Sequence, residues 1–533
     1  MTSRNPTVPV RDQPWTYLIV GAGPAGIQMA YELQQAGRDY VVLEAGETPG
    51  TFFRQFPRHR TMISINKVHT GYADPEINLR WDWNSLLSER TDLLLGAYSK
   101  RYFPDADTYV RYLTDFAAKT ALNIRYGVRV EHINKQGNFF CVEDTEARSY
   151  YARRLIVATG IGKAYLPPIP GIELAERYED VSVDPEDFAG QRVLILGKGN
   201  SAFETADNLI ATTSLLHLAS PNPLTLAWKS RFVGHLRAVN NNLLDTYQLK
   251  SQNAILDATV VGIEKRGEKL AATFCYTHAN GEVETFEYDR VIVCTGFRFD
   301  ASLFDVSCRP ALTINNRFPC MTSAWESPDV PDLYFAGAPM QVRDYKKGTS
   351  AFIHGFRYNI RALHRILEQR YHQRPWPGHS YQARPSTLAK AVLARVNRSS
   401  ALWQQHGVLT DLIVIDKSEA RYYEEVPNDF AADVSFGPST STFRITMEFG
   451  EVPGDPFNIE RFPNADQAGR GTFLHPVVRC YQDGERVEEH HVLENLLSDY
   501  TDPQSHIRPL VAFFERHLRH KRVFRIAPGV GTT

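Results

Sequence analysis

Short apolar runs alternate with amphipathic stretches of helical period along the larger, N-terminal part of the chain. Tyr17-Leu18-Ile19-Val20 predicts a strand, the run from Ile27 to Ala36 a helix, and Tyr40-Val41-Val42-Leu43 a second strand ending in Glu44. The order returns with a strand at Val193-Leu194-Ile195-Leu196, a helix from Phe203 to Leu209 and a strand from Leu215 to Ala219, ending in Ser220. Each is a βαβ unit.

Between strand and helix each unit carries glycines: Gly21-Ala22-Gly23-Pro24-Ala25-Gly26 in the first, Gly197-Lys198-Gly199-Asn200-Ser201-Ala202 in the second. Such glycines permit a tight turn, close approach of backbone to a pyrophosphate and close packing of helix on strand, while the helix start offers free N–H groups and a positive dipole end. Glu44 stands where a carboxylate accepts both ribose hydroxyls, which suits FAD or NAD. No acid stands at Ser220, and Lys229, Arg231 and Arg237 follow it, so the second nucleotide is expected to be NADPH, with solvated surface as the plain alternative for the three bases. Two dinucleotides on one chain imply electron transfer between them.

Further along, a helix is expected from Thr108 to Ala118 and a strand from Arg153 to Val157 that closes on Ala158-Thr159-Gly160. A second strand-to-glycine return runs from Asp289 to Thr295-Gly296-Phe297, and a third, Leu333 to Gly337, precedes a helix from Ser350 to Ile366 whose start is expected to face the flavin ring. Arg374-Pro375-Trp376-Pro377-Gly378 breaks the pattern. Beyond it lie an alternating strand from Phe443 to Phe449, a hairpin at Asp483-Gly484 and a terminal helix from Pro503 to Leu518. The expected fold is α/β, two nested Rossmann-like domains (FAD-binding, 1–190 and 289–374; NADPH-binding, 191–288) followed by an α+β domain over 379–533. Cofactor contacts are assigned to Gly21, Gly23, Pro24, Ala25, Gly26, Glu44, Ala45, Thr159, Gly160, Gly197, Gly199, Asn200, Ser201, Ser220, Arg231, Thr295, Gly296, Gly337 and Ser350.

Composition narrows the chemistry. The 533 residues are 43% hydrophobic with a formal net charge of -2, so neither a nucleic-acid nor an anionic-membrane footprint appears, and a small-molecule substrate is expected. No apolar stretch approaches the roughly 20 residues of a membrane span. The N-terminal stretch from Met1 to Trp15 is polar, with three prolines and no hydrophobic signal core, which predicts a cytoplasmic protein. The six cysteines contain no CxxC pair, so isolated thiols are expected rather than the dithiol of a disulfide reductase. No metal-ligand spacing is present, His490-His491 included. The oligomeric state stays open, a homo-oligomer among the options.

The nested units, Ala158-Thr159-Gly160 and the Asp289 to Phe297 string resemble the class B flavin monooxygenases. Longer strings, Pro57 to Lys67, Asp82 to Leu87, Tyr178 to Pro185, Leu236 to Ser251 and Phe473-Leu474-His475-Pro476, resemble the FAD-dependent oxidoreductase domain-containing flavoproteins of the endoplasmic reticulum. The resemblance implies FAD, NADPH and a family-specific C-terminal domain. It points to a monooxygenase in which NADPH reduces FAD, O2 adds to the flavin as a hydroperoxide, and oxygen passes to a nucleophilic atom of a small substrate, an amine or amino-acid nitrogen among the options. An NADPH-dependent oxidase or reductase and a flavin-binding interaction module are the alternatives. The chain departs from the monooxygenase fingerprint at Ala175, where the pattern has histidine, and at Glu179, where it has an aromatic; Ala338 follows Gly337 where disulfide reductases carry aspartate.

Arg58, His59 and Arg60 follow the first βαβ unit and are candidates for binding an anionic substrate, with capping of neighbouring backbone or a pyrophosphate contact as the alternative. Asn66, Lys67 and Asn240 are the candidate catalytic groups; Asn240 is weighed against loop capping. His354 is expected to be a packed histidine.

Overall fold

Trp15–Val20 (β1), buried from Tyr17 onward, leads through the first glycine loop into Pro24–Gln35 (α1) and back along Tyr40–Leu43 (β2) in parallel register. The computed structural model describes residues 13–249, 253–439, 441–451, 454–455 and 457–518. The polar N-terminal stretch up to residue 12, and the end of the string from Leu236 to Ser251, lie outside the described residues. The chain divides into two compact units, Met1–His372 and Gln373–Thr533.

On its other edge β1 pairs in parallel with Ser149–Val157 (β3). β3 starts four residues earlier than the apolar run suggests, because Tyr150 and Ala152 alternate inward and pair antiparallel with 139–144.

The second unit of the pattern builds a sheet of its own from Arg192–Leu196 (β4), Asn200–Leu209 (α2), Leu215–Ser220 (β5) and Asn253–Arg266 (β6). Arg290–Val293 (β7), assigned from sequence to the returning part of the FAD domain, lies in this second sheet instead. Its Val291, Ile292 and Val293 are buried level with Leu194, Ile195 and Leu196 of β4, and that fully apolar match outweighs the order of segments along the chain. The short strand Glu176–Arg177 extends the same sheet beyond β7. Leu333–Phe335 (β8) then returns to β3 in the first sheet. The following helix, Ile353–His372 (α3), begins later and ends later than expected. Its last turns are tied down by Arg38 Nε donating to Glu368 Oε1 at 2.8 Å and by the Tyr17 hydroxyl meeting His372 Nε2 at 2.8 Å.

The unit from Gln373 is a six-stranded antiparallel sheet in the order 378–382, 419–427, 409–416, 441–448, 475–482, 485–491. The helices Pro385–Arg398 and Arg508–Leu518 bury Leu388, Val392, Phe513 and Phe514 against its Ile413, Phe443 and Ile445. The single terminal helix expected from Pro503 begins as a π-helical turn, Pro503–Ile507, in which the Ile507 N–H reaches back to the Asp502 carbonyl at 3.2 Å. His491 is joined to His475 by an imidazole hydrogen bond of 2.8 Å. Arg395, at the end of the first of these helices, donates to Asp411 at 3.0 Å and to Glu425 at 3.1 Å inside the unit. No helix among the described residues is long and apolar enough to cross a membrane.

Candidate functional site

The two glycine loops are built alike. Gly21 (φ +100) donates its N–H to Leu43 at the end of β2, and Gly197 (φ +134) donates to Ala219 near the end of β5, each at 2.8 Å. A β carbon on Gly21 would lie 2.9 Å from the Ala158 carbonyl oxygen, and one on Gly197 would lie 2.3 Å from that of Cys294. Each loop therefore rests on the residue just before a Thr-Gly turn, Thr159-Gly160 or Thr295-Gly296. Gly26 packs on Gly21, with only 1.8 Å available for a β carbon; Ala202, fully buried, takes the equivalent place in the second loop.

The middle glycines differ from their neighbours. A β carbon on Gly23 or Gly199 would meet nothing within 4 Å. Both residues are extended N-caps without a side-chain acceptor, so the first-turn N–H groups of α1 and α2 face open cradles. Pro24 and Ala25 form the first turn of α1, and Gly337 (φ +86) presses onto it, a β carbon there falling 2.7 Å from that of Ala25.

Glu44 is only 4% exposed, yet its carboxylate is held at the loop: Oε2 accepts from the Ala22 N–H at 2.6 Å, and Oε1 from the Gly46 N–H at 2.8 Å and the Thr51 hydroxyl at 2.6 Å. A carboxylate fixed at the strand tip beside an uncapped helix start and an open glycine suits the ribose and pyrophosphate of FAD. Ala45 continues the same turn, partly exposed.

At the second loop Asn200 ties the cradle to the segment that follows β5. Its Nδ2 donates to the His235 carbonyl at 2.9 Å and its Oδ1 accepts the Arg237 N–H at 3.0 Å. Ser201 borders a narrow crevice with Tyr178, Cys294, Thr295, Gly296 and Phe297. Ser220 donates to the Asn222 carbonyl at 3.2 Å. Arg231 takes a left-handed conformation (φ +60), and burial lowers the pKa of both Arg231 and Arg237. Arg237 lies over the Trp83 ring at 5.2 Å, and Trp83 stacks on His354 of α3 at 4.3 Å. Residues from three distant segments thus meet in one column, with His354 buried inside it.

Three candidates in the 58–67 segment, Arg58, Arg60 and Asn66, are engaged by protein. Arg60 donates to the Phe53 carbonyl at 2.6 Å and to Asp107 at 2.8 Å, and Arg58 to the Val181 carbonyl at 2.5 Å. That bracing is the backbone-capping alternative weighed for these two guanidiniums. Asn66, 2% exposed, turns its amide to the Ser99 carbonyl at 2.9 Å. Lys67 is exposed. His59 is half-buried; desolvation, helped by Arg58, pushes its pKa down to about 4, so it is neutral at pH 7. Asn240 is buried and points its amide at the Asn200 side-chain oxygen, 3.3 Å away, which makes it a positioning group for the loop. Capping of the next helix, Asn242–Leu249, comes from elsewhere: Asp207 of α2 accepts from the Leu243 N–H at 3.0 Å. Ser350 is fully buried, receives Asn359 at 2.8 Å and donates its N–H to Asp344 at 3.1 Å, a knot before α3 rather than the helix start itself.

One group escapes sequence inspection. Glu204, on the interior face of α2 and 8% exposed, accepts from the Tyr178 hydroxyl, which in turn receives the Arg58 N–H at 3.3 Å. Burial pushes the Glu204 carboxyl up to about 7. The acid sits where helical periodicity calls for an apolar residue, and its partner lies in an irregular segment with no pattern of its own.

Residues 18–337 match the pyridine nucleotide-disulphide oxidoreductase family model. The FAD-dependent oxidoreductase domain-containing protein 2 of Mus musculus is 39% identical over 94% of this chain and 84% of its own length. Among solved structures, the bacillithiol disulfide reductase of Bacillus cereus (TM-score 0.51, 19% identity) and an ornithine N-hydroxylase of Kutzneria sp. 744 (TM-score 0.50, 16% identity) each cover 67% of this chain and all of their own. The same α/β fold thus carries both a disulfide reductase and an N-hydroxylase.

Proposed function

The chain belongs to the pyridine nucleotide-disulphide oxidoreductase family and is an FAD-dependent oxidoreductase, and from that premise we propose that it uses NADPH to oxygenate a small nucleophilic substrate. The observation that carries the reading is the pair of open cradles at Gly23 and Gly199, set alike on Ala158 and Cys294 within one compact unit. We assign FAD to Gly21, Gly23, Pro24, Ala25, Gly26, Glu44, Ala45, Thr159, Gly160 and Gly337, and the pyridine nucleotide to Gly197, Gly199, Asn200, Ser201, Thr295 and Gly296. The proposed partition is an FAD domain interrupted by a nucleotide domain, with the unit from Gln373 appended.

FAD, once reduced, supplies the two electrons needed to activate O2. The residues of the chain do the rest by binding and shielding. Glu44 and the α1 start hold ribose and pyrophosphate; Asn200, braced by Asn240, holds the second cradle open. The Arg237, Trp83 and His354 column closes the seam between the α3 start and the nucleotide segment, where water must be kept from reduced flavin. The six cysteines contain no CxxC pair, and Cys141, Cys294, Cys308 and Cys480 are buried, which supports an electron acceptor other than a protein disulfide.

The test is NADPH consumption by the flavin-loaded protein, screened against amines and amino acids with hydroxylamine and H2O2 measured together. Product formation in step with NADPH is expected with at least one substrate. Stoichiometric H2O2 with every substrate would assign the protein to the oxidases, and failure of NADPH to bleach the flavin would remove the enzyme reading.

A further inference from the structure

The sequence shows no acid at Ser220, the tip of β5, but the fold brings one there. β5 runs parallel to β6 with Ser220 level with Asp257, so a carboxylate from a strand far along the chain stands beside the serine. It is met by Lys198, the residue between the two loop glycines. The Lys198 ammonium pairs with Asp257 Oδ1 and donates to the Asn222 carbonyl at 3.0 Å, and its side chain is only 4% exposed. The Ser220 hydroxyl donates to the same carbonyl at 3.2 Å. Hydroxyl, ammonium and carboxylate therefore converge on the tip of the second strand of the βαβ unit, where such folds read the 2′ position of the adenosine ribose.

We propose that Lys198 is the residue that recognises the 2′-phosphate of the nucleotide and that Asp257 sets the strength of that preference. The inference rests on the reading that the second cradle takes NADPH. An ammonium has three donors; two of them serve Asn222 and Asp257, and the third remains for a phosphate oxygen. The side chain is already desolvated and held in place by its two partners, so little freedom is lost when phosphate arrives. Asp257 works in the opposite sense. Its carboxylate repels a phosphate dianion at short range, and only the intervening Lys198 charge makes the tip acceptable to one. Arg237, one of the bases that the sequence puts forward for this task, is instead laid over Trp83. The selectivity element is thus a compensated pair, one member in the loop and one in the neighbouring strand.

The test is calorimetric binding of NADP+, NAD+ and adenosine 2′,5′-bisphosphate to the flavin-loaded protein and to Lys198→Met, Lys198→Arg and Asp257→Asn. Lys198→Met is expected to weaken NADP+ and the bisphosphate by about tenfold or more while NAD+ changes by less than about threefold. Lys198→Arg should keep most of the preference, and Asp257→Asn should raise the ratio of NADP+ to NAD+ affinity. A wild-type protein that binds NAD+ as tightly as NADP+ overturns the NADPH reading itself. A wild-type preference that survives Lys198→Met unchanged overturns only the role of Lys198. Should Lys198→Met fail to fold, Asp257→Asn decides: a ratio that falls or stays the same counts against the proposal.

Discussion

The Tyr178 hydroxyl donates to Glu204, and the two side chains join the segment before β4 to the helix of the second cradle. Burial raises the Glu204 carboxyl from the ordinary 4.5 to about 7. A carboxyl that holds its proton more tightly folded than unfolded contributes stability fully below the unfolded pKa and loses it as pH rises to the folded one. Stability of the first unit should therefore fall between pH 4.5 and 7 and level off above. Glu204→Gln keeps an acceptor for Tyr178 without the charge, and it should stabilise by on the order of 3 kcal/mol at pH 8 with no gain near pH 4. Melting temperatures of both proteins across that range check the sign; a gain independent of pH would contradict it.

The glycines of the first loop should separate folding from flavin binding. Gly26→Ala forces a β carbon to 1.8 Å from the Gly21 carbonyl oxygen, and soluble yield should collapse. Gly23→Val points into open space, so the protein should fold with its far-ultraviolet spectrum intact and yet emerge colourless. Glu44→Gln should retain some flavin, weakened by about tenfold, since hydrogen bonds to charged groups contribute roughly 1.5–3 kcal/mol. Flavin content per protein, read from the ratio of visible to ultraviolet absorbance, ranks the three.

Arg60 braces the segment that carries it. Removing its contacts to Phe53 and Asp107 by Arg60→Met should lower the melting temperature, at a cost of about 1–2 kcal/mol, while NADP+ affinity stays unchanged. A selective rise in substrate KM with no loss of stability would return Arg60 to the substrate-binding role.

In the unit from Gln373, Arg395 is the cation that faces the buried carboxylates Asp411 and Glu425. Arg395→Leu strands them, and a loss of about 3–5 kcal/mol is expected for that unit. Differential scanning calorimetry should show the transition of this unit moving down while that of the flavin unit holds.

Local pattern carried the loops, their flanking strands and the break near Pro375, because each depends on residues close together in sequence. The place of Arg290–Val293 was not legible: an apolar strand with a glycine after it fits either sheet, and only its match to β4 chooses. Asp257 and Lys198 were hidden for the same reason, since a parallel neighbour in register leaves no trace in spacing. The bonds by which Asn66 and Arg60 serve the irregular backbone around them were not legible either, because their acceptors, the Ser99 and Phe53 carbonyls, lie in segments without a periodic pattern. Glu204 broke the helical pattern, which was the one available sign of a buried, partnered acid.

Gly21 settles on Ala158, and Gly197 on Cys294, so each loop takes its final shape only against a strand made long after it. During synthesis the first hundred residues hold no finished cradle, whatever their local preferences. Such distant closure makes assembly slow and leaves apolar strands waiting for partners, and flavin supply during expression should accordingly govern how much of this protein is recovered intact.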